Sequence, residues 1–448
     1  MRFLRPHLCL CVLTLVAHLD AQDGAPKANV LILMADDLGV DYISAYKEGS
    51  NPAPTPNIDA LAARGVLFRN AWANPLCSPT RACILTGRYG FRTGVGTVVS
   101  SRRRRGGLRA AELSLPELLD RADSGYGHAL IGKWHLGAPD RAPNDAGWSH
   151  YAGMLPGTLN GANTYFSWPR TVDGKTERST AYTTTQFVDD ALAWIHETST
   201  KGRPWLCFVN FNAPHTPFHV PPADLHSVKI EGPASRRNSV ACYRAMVEAV
   251  DKEIGRMLAQ LGEDLKHTNV IFLGDNGTPG QVAQAPFSRS RSKGSLFEGG
   301  INVPLIVAGP AVGEPQRESA ALVGAVDLYA TVAELCGVDV AVSAPADHHI
   351  DGVSFVPHLR EPGHAPVRST VFTELFQGDR PNERSTAAIR DARYKLIRRY
   401  RGTLAPKDRF FDLEQDPFEQ RDLGRRDKTK AQTAALKGLQ AELDRLRK

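Results

Sequence analysis

The sequence contains no pair of cysteines at CxxC spacing, so it carries no signature of a thiolate zinc site. It has no internal repeat and no low-complexity linker, and its composition is that of an ordinary globular protein. Disordered, collagen-like and coiled-coil classes are therefore excluded. Past the N-terminus no apolar run is long enough to cross a bilayer, so no stable membrane anchor is expected. A strong charge imbalance is also missing. The formal net charge is only +6 over 448 residues, and part of it lies in Arg102–Arg105 and in the basic tail. That reads as solvated surface and not as a nucleic-acid footprint, and it licenses only a mild preference for anionic substrates.

What is present begins at the N-terminus. Arg2 and Arg5 precede the apolar run Leu8–Ala17, and small Ala21 follows before Gln22. A charged start, a short apolar stretch and a small-residue exit predict a cleavable signal peptide over 1–21, hence export to the periplasm or beyond the cell. Cys9 and Cys11 would leave with it, too early in the chain for lipidation. Cys77, Cys83, Cys207, Cys242 and Cys336 remain, an odd number that leaves at least one thiol unpaired.

Short branched apolar runs at Asn29–Met34, Ala129–Ile131, Trp205–Phe211, Asn269–Leu273 and Pro304–Ala308 read as buried strands. Helical patterns at Asn57–Arg64, Leu115–Arg121, Thr185–Glu197 and Tyr243–Leu261 lie between them. The alternation predicts an α/β domain over 27–365 with a large, mainly parallel sheet flanked by helices. Pro139–Gly174 and Thr278–Ser292 read as long surface loops, the usual place for substrate contacts. After about Pro366 the pattern changes to four short strands and a final helix with Leu436, Leu439, Leu443 and Leu446 on one stripe. A smaller C-terminal α+β domain of antiparallel strands is expected over 366–448.

The chemistry gathers at predicted strand ends, where open α/β sheets bind ligands. Asp36 and Asp37 follow the first strand, and Asp275, Asn276 and Gly277 follow "FLG". Either group alone makes an ordinary turn. Together, at equivalent positions, these oxygens suit a hard divalent cation. Lys133 and His135 in "IGKWHLG", His215 in "NAPHTPF" and Lys293 in "KGSLFEGG" sit at or near other strand ends. Each alone reads as a surface charge or a satisfied histidine; grouped beside a metal they form an anion pocket. Cys77 stands in "NPLCSPTRACILTGRYG", with Pro79 suited to a first helical position and Gly87 to a stop. At that helix mouth the thiol either serves an anion site or packs as a small hydrophobe.

On these residues the chain resembles the type I sulfatases of the alkaline phosphatase superfamily. Cys77-Ser-Pro-Thr-Arg81 followed by "LTGR" matches the family's C-x-P-x-R signature, and Asp36-Asp37, "GKWHLG", "PHTPF", "GDNG" and "KGSLFEGG" follow in the family's order. Phe410–Leu423 matches its C-terminal turn. The resemblance runs from about residue 28 to 425. It implies an alkaline phosphatase-like fold, and a formylglycine-generating enzyme that oxidises Cys77 to formylglycine, whose hydrate attacks sulfur. It implies one calcium ion per chain, held by Asp36, Asp37, Asp275, Asn276 and the modified Cys77. Arg81 and Lys133 would stabilise the diol, His135 act on its second hydroxyl, and His215 and Lys293 hold sulfate and assist the leaving group. Thr80 departs from the more usual Ser, and Asn302 stands where many members carry Arg.

The expected activity is hydrolysis of a sulfate ester, of a sulfated carbohydrate or an aryl sulfate. A phosphodiester or phosphonate monoester hydrolase and an inactive sulfatase-like binding protein are the alternatives. Trp148, Tyr151, Tyr165 and Trp168 in Pro139–Gly174 read either as rings that stack on sugar or as ordinary packing.

Overall fold

Along the strand Asn29–Ala35 every residue after the first is buried, so both of its faces must be covered. The two faces lead to two cores. Leu31, Leu33 and Ala35 pack with the helices Thr183–Thr200 and Ser239–Leu261. Val30, Ile32 and Met34 pack on the other side with the helices Cys77–Thr86, Leu115–Arg121 and Asp327–Leu335. This is a helix–sheet–helix sandwich, as the continuous apolar runs require. The computed structural model describes residues 27–100, 107–137, 139–361 and 363–447; the expected signal peptide and Arg102–Arg105 lie outside them.

Ten strands form the large sheet: β1 (Asn29–Ala35), β2 (Gly65–Trp72), β3 (Gly127–Lys133), β4 (His150–Met154), β5 (Trp168–Val172), β6 (Lys175–Ser179), β7 (Trp205–Asn210), β8 (Thr268–Gly274), β9 (Leu305–Ala308) and β10 (Arg317–Gly324). Their order is β10-β2-β9-β8-β1-β7-β3-β4-β5-β6. The centre, β8-β1-β7-β3-β4, is parallel throughout. Toward the edges the sheet is mixed. Strand β9 runs antiparallel to β8 and β2 because the segment after β8 makes no crossover and stays at the strand's carboxyl end.

Pro139–Gly174 is not the open loop expected from its prolines and glycines. It supplies β4 and β5 and extends the sheet. Trp148, Tyr151, Tyr165 and Trp168 are no more than 1% exposed, so packing and not sugar stacking is their role. Trp168 meets Phe187 edge-on at 5.4 Å and donates its indole N–H to Ala181 O at 2.9 Å. Thr278–Ser292 is irregular apart from a turn of 3₁₀ helix at Arg289–Arg291.

The C-terminal part is a four-stranded antiparallel sheet in chain order: β11 (Val371–Leu375), β12 (Thr386–Arg390), β13 (Tyr394–Arg401) and β14 (Leu404–Asp412). The helix Lys430–Leu446 opens with a Thr429/Gln432 capping box and covers one face, burying Leu439 and Leu443 with Phe372, Ile389, Leu396 and Phe410. The other face puts Val371, Ala388, Ile397 and Phe411 against Trp72, Leu296, Ile301 and Leu322 of the large part. The expected stripe holds, with Leu436 and Leu446 partly buried at its ends.

Replacing Trp168 with Ala removes a fully buried ring and leaves a cavity. We expect Trp168→Ala to cost about 3–5 kcal/mol of stability, read from the denaturant midpoint, without raising KM for a sugar substrate in the protein that remains folded.

Candidate active site

The parallel strands end on one edge, and each end delivers a polar residue into the same buried space. Asp36 and Asp37 leave β1, Lys133 closes β3, and Asp275 and Asn276 leave β8. Asp36, Lys133, Asp275 and Asn276 are 0% exposed. His215 follows β7, and Lys293 is drawn in by its backbone N–H, which donates to Thr278 O at 3.0 Å. Cys77 is the first residue of the helix Cys77–Thr86, two positions earlier than Pro79 suggests; Gly87 ends the helix in the left-handed region with φ 67°. Asp36, Asp37, Cys77, Arg81, Lys133, His215, Asp275, Asn276 and Lys293 are joined in one set of contacts.

Their contacts are charge-assisted. Lys133 Nζ donates to Asp36 Oδ2, and Lys293 Nζ pairs with Asp37 Oδ1. The Arg81 guanidinium donates to Asp275 Oδ2 at 2.9 Å and to Lys133 O at 3.0 Å. Asp275 Oδ1 accepts the backbone N–H of Asp37 at 2.9 Å, tying the ends of β1 and β8 together. The Cys77 Sγ lies 3.2 Å from Asp36 Oδ1, 3.8 Å from Asp37 Oδ1 and 3.8 Å from Lys293 Nζ.

Two of these residues hold left-handed backbone, Asp37 at φ 68° and His135 at φ 59°. Such conformations persist only where the surroundings fix them. The Tyr243 hydroxyl donates to Asp37 O at 2.5 Å, and Ser78 Oγ donates to His135 O at 2.9 Å. Gly157 lies so close to the His135 imidazole that a Cβ there would fall 2.0 Å from Nε2.

Burial decides the protonation of the neutral groups. It pushes the Cys77 thiol well above its ordinary value, reinforced by Asp275 and Asp36, so the thiol stays protonated. Burial pulls His135 well down, helped by Lys133 and Arg81, and holds His215 down at about 4 despite Asp37. Both imidazoles are neutral bases at pH 7. Burial raises Asp37, yet Lys293, His215 and Lys133 together hold it below the usual carboxylate range. Asp275 is pushed up by burial and then by its neighbour Asp36, against Arg81 and Lys133.

The oxygen set fits a hard cation. Asn276 donates its amide N–H to Asp37 Oδ1 at 2.9 Å, while its own Oδ1 is buried with no hydrogen-bond partner. A divalent ion among Asp36, Asp37, Asp275 and Asn276 would supply that partner and relieve the repulsion between the carboxylates. Ligand atoms of Asp36, Asp37, Cys77 and His215 all lie within 4.8 Å of one another. His215 therefore joins the tight group, whereas both oxygens of Asp275 already accept from Arg81 and from Asp37 N–H. Asn302, the departure noted in the sequence, is buried and donates to Arg69 O at 3.2 Å.

A brace that no local sequence pattern marks holds Glu298, in the segment that follows Lys293. The fully buried Lys395 of β13 pairs with Glu298 at 2.9 Å and Glu419 at 2.8 Å, and sits over the Trp72 ring at 4.8 Å. Glu419 also accepts the Glu298 backbone N–H at 2.6 Å. Glu298 and Glu419 both lie in stretches that carried the family resemblance, but only the fold brings them to one lysine.

Cations, carboxylates and one thiol at the carboxyl edge of a doubly covered α/β sheet are the equipment of a hydrolase acting on an anionic ester. The chain belongs to the sulfatase family: residues 28–338 match the family's model, and residues 291–448 match that of the C-terminal part of N-sulphoglucosamine sulphohydrolase. It is accordingly a sulfuric ester hydrolase. N-acetylgalactosamine-6-sulfatase of Sus scrofa is 32% identical over 372 residues, 75% of this chain and 67% of that protein. The crystal structure of Ps i-CgsB superposes with a TM-score of 0.77 at 27% identity, covering 94% of this chain and 93% of that one. Its complex with k-i-k-neocarrahexaose superposes equally well, at 0.77 and 26% identity over the same shares. Among the described residues no helix is long and apolar enough to cross a membrane, and Cys77, Cys83, Cys207, Cys242 and Cys336 are all free and buried.

Removing one partner of a buried ion pair strands the others. Glu419→Ala should therefore destabilise the protein by about 3–5 kcal/mol, measured as a lowered denaturant midpoint; a change near zero would show that the brace carries no stability.

Proposed function

We propose that this protein is an exported hydrolase of sulfated carbohydrates that works through a formylglycine made from Cys77. The observation that carries the reading is the state of that thiol. It lies among Asp36, Asp37 and Lys293 at the centre of the site, yet burial and the neighbouring carboxylates keep it protonated. A protonated thiol is a poor nucleophile. A formylglycine-generating enzyme, acting before folding and bringing its own oxidant, would convert the side chain to an aldehyde with loss of the sulfur, and hydration of that aldehyde gives a geminal diol at the same place.

Asp36, Asp37, Asp275 and Asn276 would hold a calcium ion, with His215 close by. When bound, that ion contributes positive charge that favours ionisation of a nearby hydroxyl and balances the sulfate. Arg81 and Lys133, each tied to a carboxylate, orient the diol. One diol hydroxyl gives its proton to the neutral His215 as its oxygen bonds to sulfur and the sulfur–oxygen bond to the alcohol breaks. Lys293 and the resulting imidazolium hold the sulfate oxygens, and that proton passes on to the departing alcohol. His135, a neutral imidazole, then removes the proton of the second hydroxyl. The carbonyl re-forms, the carbon–oxygen bond to sulfate breaks, and the aldehyde is restored.

The sulfated-sugar reading is supported by the cations at the site, by the similarity to N-acetylgalactosamine-6-sulfatase and by the neocarrahexaose complex of Ps i-CgsB.

Protein made together with a formylglycine-generating enzyme should yield a Cys77 peptide that carries an aldehyde. Cys77→Ala should fold normally by circular dichroism and lose turnover of every sulfate ester. Undiminished turnover by that variant would sink the mechanism. Comparing rates on a sulfate ester and on matched phosphodiesters and phosphonate monoesters checks the activity itself, and faster phosphorus chemistry would replace it.

Metal dependence is a separate expectation. Exhaustive chelation should abolish turnover, and calcium should restore it better than magnesium. Asp275→Ala should lose bound metal and activity together, followed by elemental analysis. Full turnover by metal-free protein is the contrary result.

A further inference from the structure

Next to the site, the small sheet exposes arginines that have no ion-pair partner among the described residues. A cleft of about 740 Å³ runs from Leu76 and Gly294, the chain neighbours of Cys77 and Lys293, to Arg384, Arg399 and Arg409. Register explains the patch. On β13, Lys395, Ile397 and Arg399 share one face. Ile397 pairs with Arg409 across β14, and Arg399 pairs with Thr386 across β12. The inner half of that face is sealed against Trp72, Leu296 and Ile301, and the outer half forms the cleft wall.

These arginines differ from their neighbours. Arg398, on the opposite face, is tied to Asp408 at 2.8 Å and Asp444 at 3.0 Å. Arg384, Arg399 and Arg409 are exposed, and none makes an ion pair among the described residues. The Arg409 guanidinium rests over the Phe297 ring at 5.4 Å, which fixes its head at the cleft edge without neutralising it. An adjoining groove shares Arg384 and Arg399 and adds Arg401, Lys407 and Arg425, with Glu383 as its one acid.

We infer that this cleft is a subsite for a second anionic group of the substrate, a sulfate or carboxylate on a sugar next to the one whose ester is cut. The inference rests on the sulfated-carbohydrate reading above. Guanidinium forks match such oxyanions. Asn382 and Thr386, which also line the cleft, offer hydrogen bonds to sugar hydroxyls. Single exposed pairs of this kind are weak and screened by salt. Several acting together give a salt-sensitive preference for oligosaccharides that carry more than one charge.

The test is the double variant Arg399→Gln/Arg409→Gln, with binding measured by calorimetry on the unmodified thiol protein. The probes are N-acetylgalactosamine 6-sulfate, a chondroitin 6-sulfate tetrasaccharide with carboxylates on adjacent sugars, and a carrageenan tetrasaccharide with sulfates alone. Wild type should bind at least one tetrasaccharide more tightly than the monosaccharide. The double variant should lose about tenfold on that tetrasaccharide, show a shallower salt dependence, and bind the monosaccharide as before. A response to the carrageenan tetrasaccharide assigns the second anion as sulfate, and a response to the chondroitin tetrasaccharide alone assigns it to the uronate-containing unit. Equal binding of all three probes by wild type, or unchanged tetrasaccharide binding by the variant, overturns the subsite. Turnover of 4-nitrophenyl sulfate by the formylglycine form separates the two readings. Turnover without oligosaccharide preference defeats the subsite alone, whereas arginine-dependent binding without cleavage of any sulfate ester defeats the proposed activity alone.

Discussion

Mutual neutralisation of buried charge at the carboxyl ends of β1, β3 and β8 is the constraint on which this structure depends. Asp36, Asp37 and Asp275 are no more than 1% exposed, and each has a cation within reach. Taking such ions out of water costs several kcal/mol apiece, recovered only when partners and hydrogen bonds are well placed. The partners come from separate stretches of chain: Lys133 from β3, Arg81 from the helix after β2, and Lys293 from the segment before β9. The sheet order, the helix position and the irregular segment must all be correct together. An error in any one of them leaves a charge alone in the interior.

The same constraint sets the character of Cys77. Its place at a helix N-terminus favours an anion there. The helix end favours an anion by about 0.3–1 kcal/mol, and up to about 2 in partly buried geometries. Burial with two carboxylates alongside opposes it more strongly, since desolvating an ion costs several kcal/mol. The larger effect wins, and the thiol is held neutral. Carboxylates crowded around a central residue disfavour a further anion at that position.

Much of this was legible in the sequence where the signal is local. The buried runs of β1, β7 and β8 were readable because parallel strands covered on both faces are apolar throughout. Asp36-Asp37 and Asp275-Asn276 were readable as a pair because both follow such runs. Direction and depth were not. Nothing in "PLIVA" says that β9 returns antiparallel, because direction depends on whether the preceding segment crosses the sheet. Trp168 lies amid prolines and glycines that mark a loop, yet the chain folds it into β5 and buries it completely. The Lys395 brace joins residues 97 positions apart through Glu298, a separation that no local pattern encodes.

Strand β13 shows how such distant effects become coupled. Leu396 and Arg398 face the final helix, while Lys395, Ile397 and Arg399 face the large part of the molecule. Within that second set, one residue anchors the segment around Glu298, one packs between the sheets, and one lines the cleft beside Cys77 and Lys293. A shift of one residue in register would exchange the two sets completely. Lys395 would leave its two glutamates, Ile397 would leave its core, and Arg399 would leave the cleft in a single step. The buried brace therefore protects more than stability: by fixing the register of β13 it also fixes which basic side chains a charged substrate meets at the edge of the site.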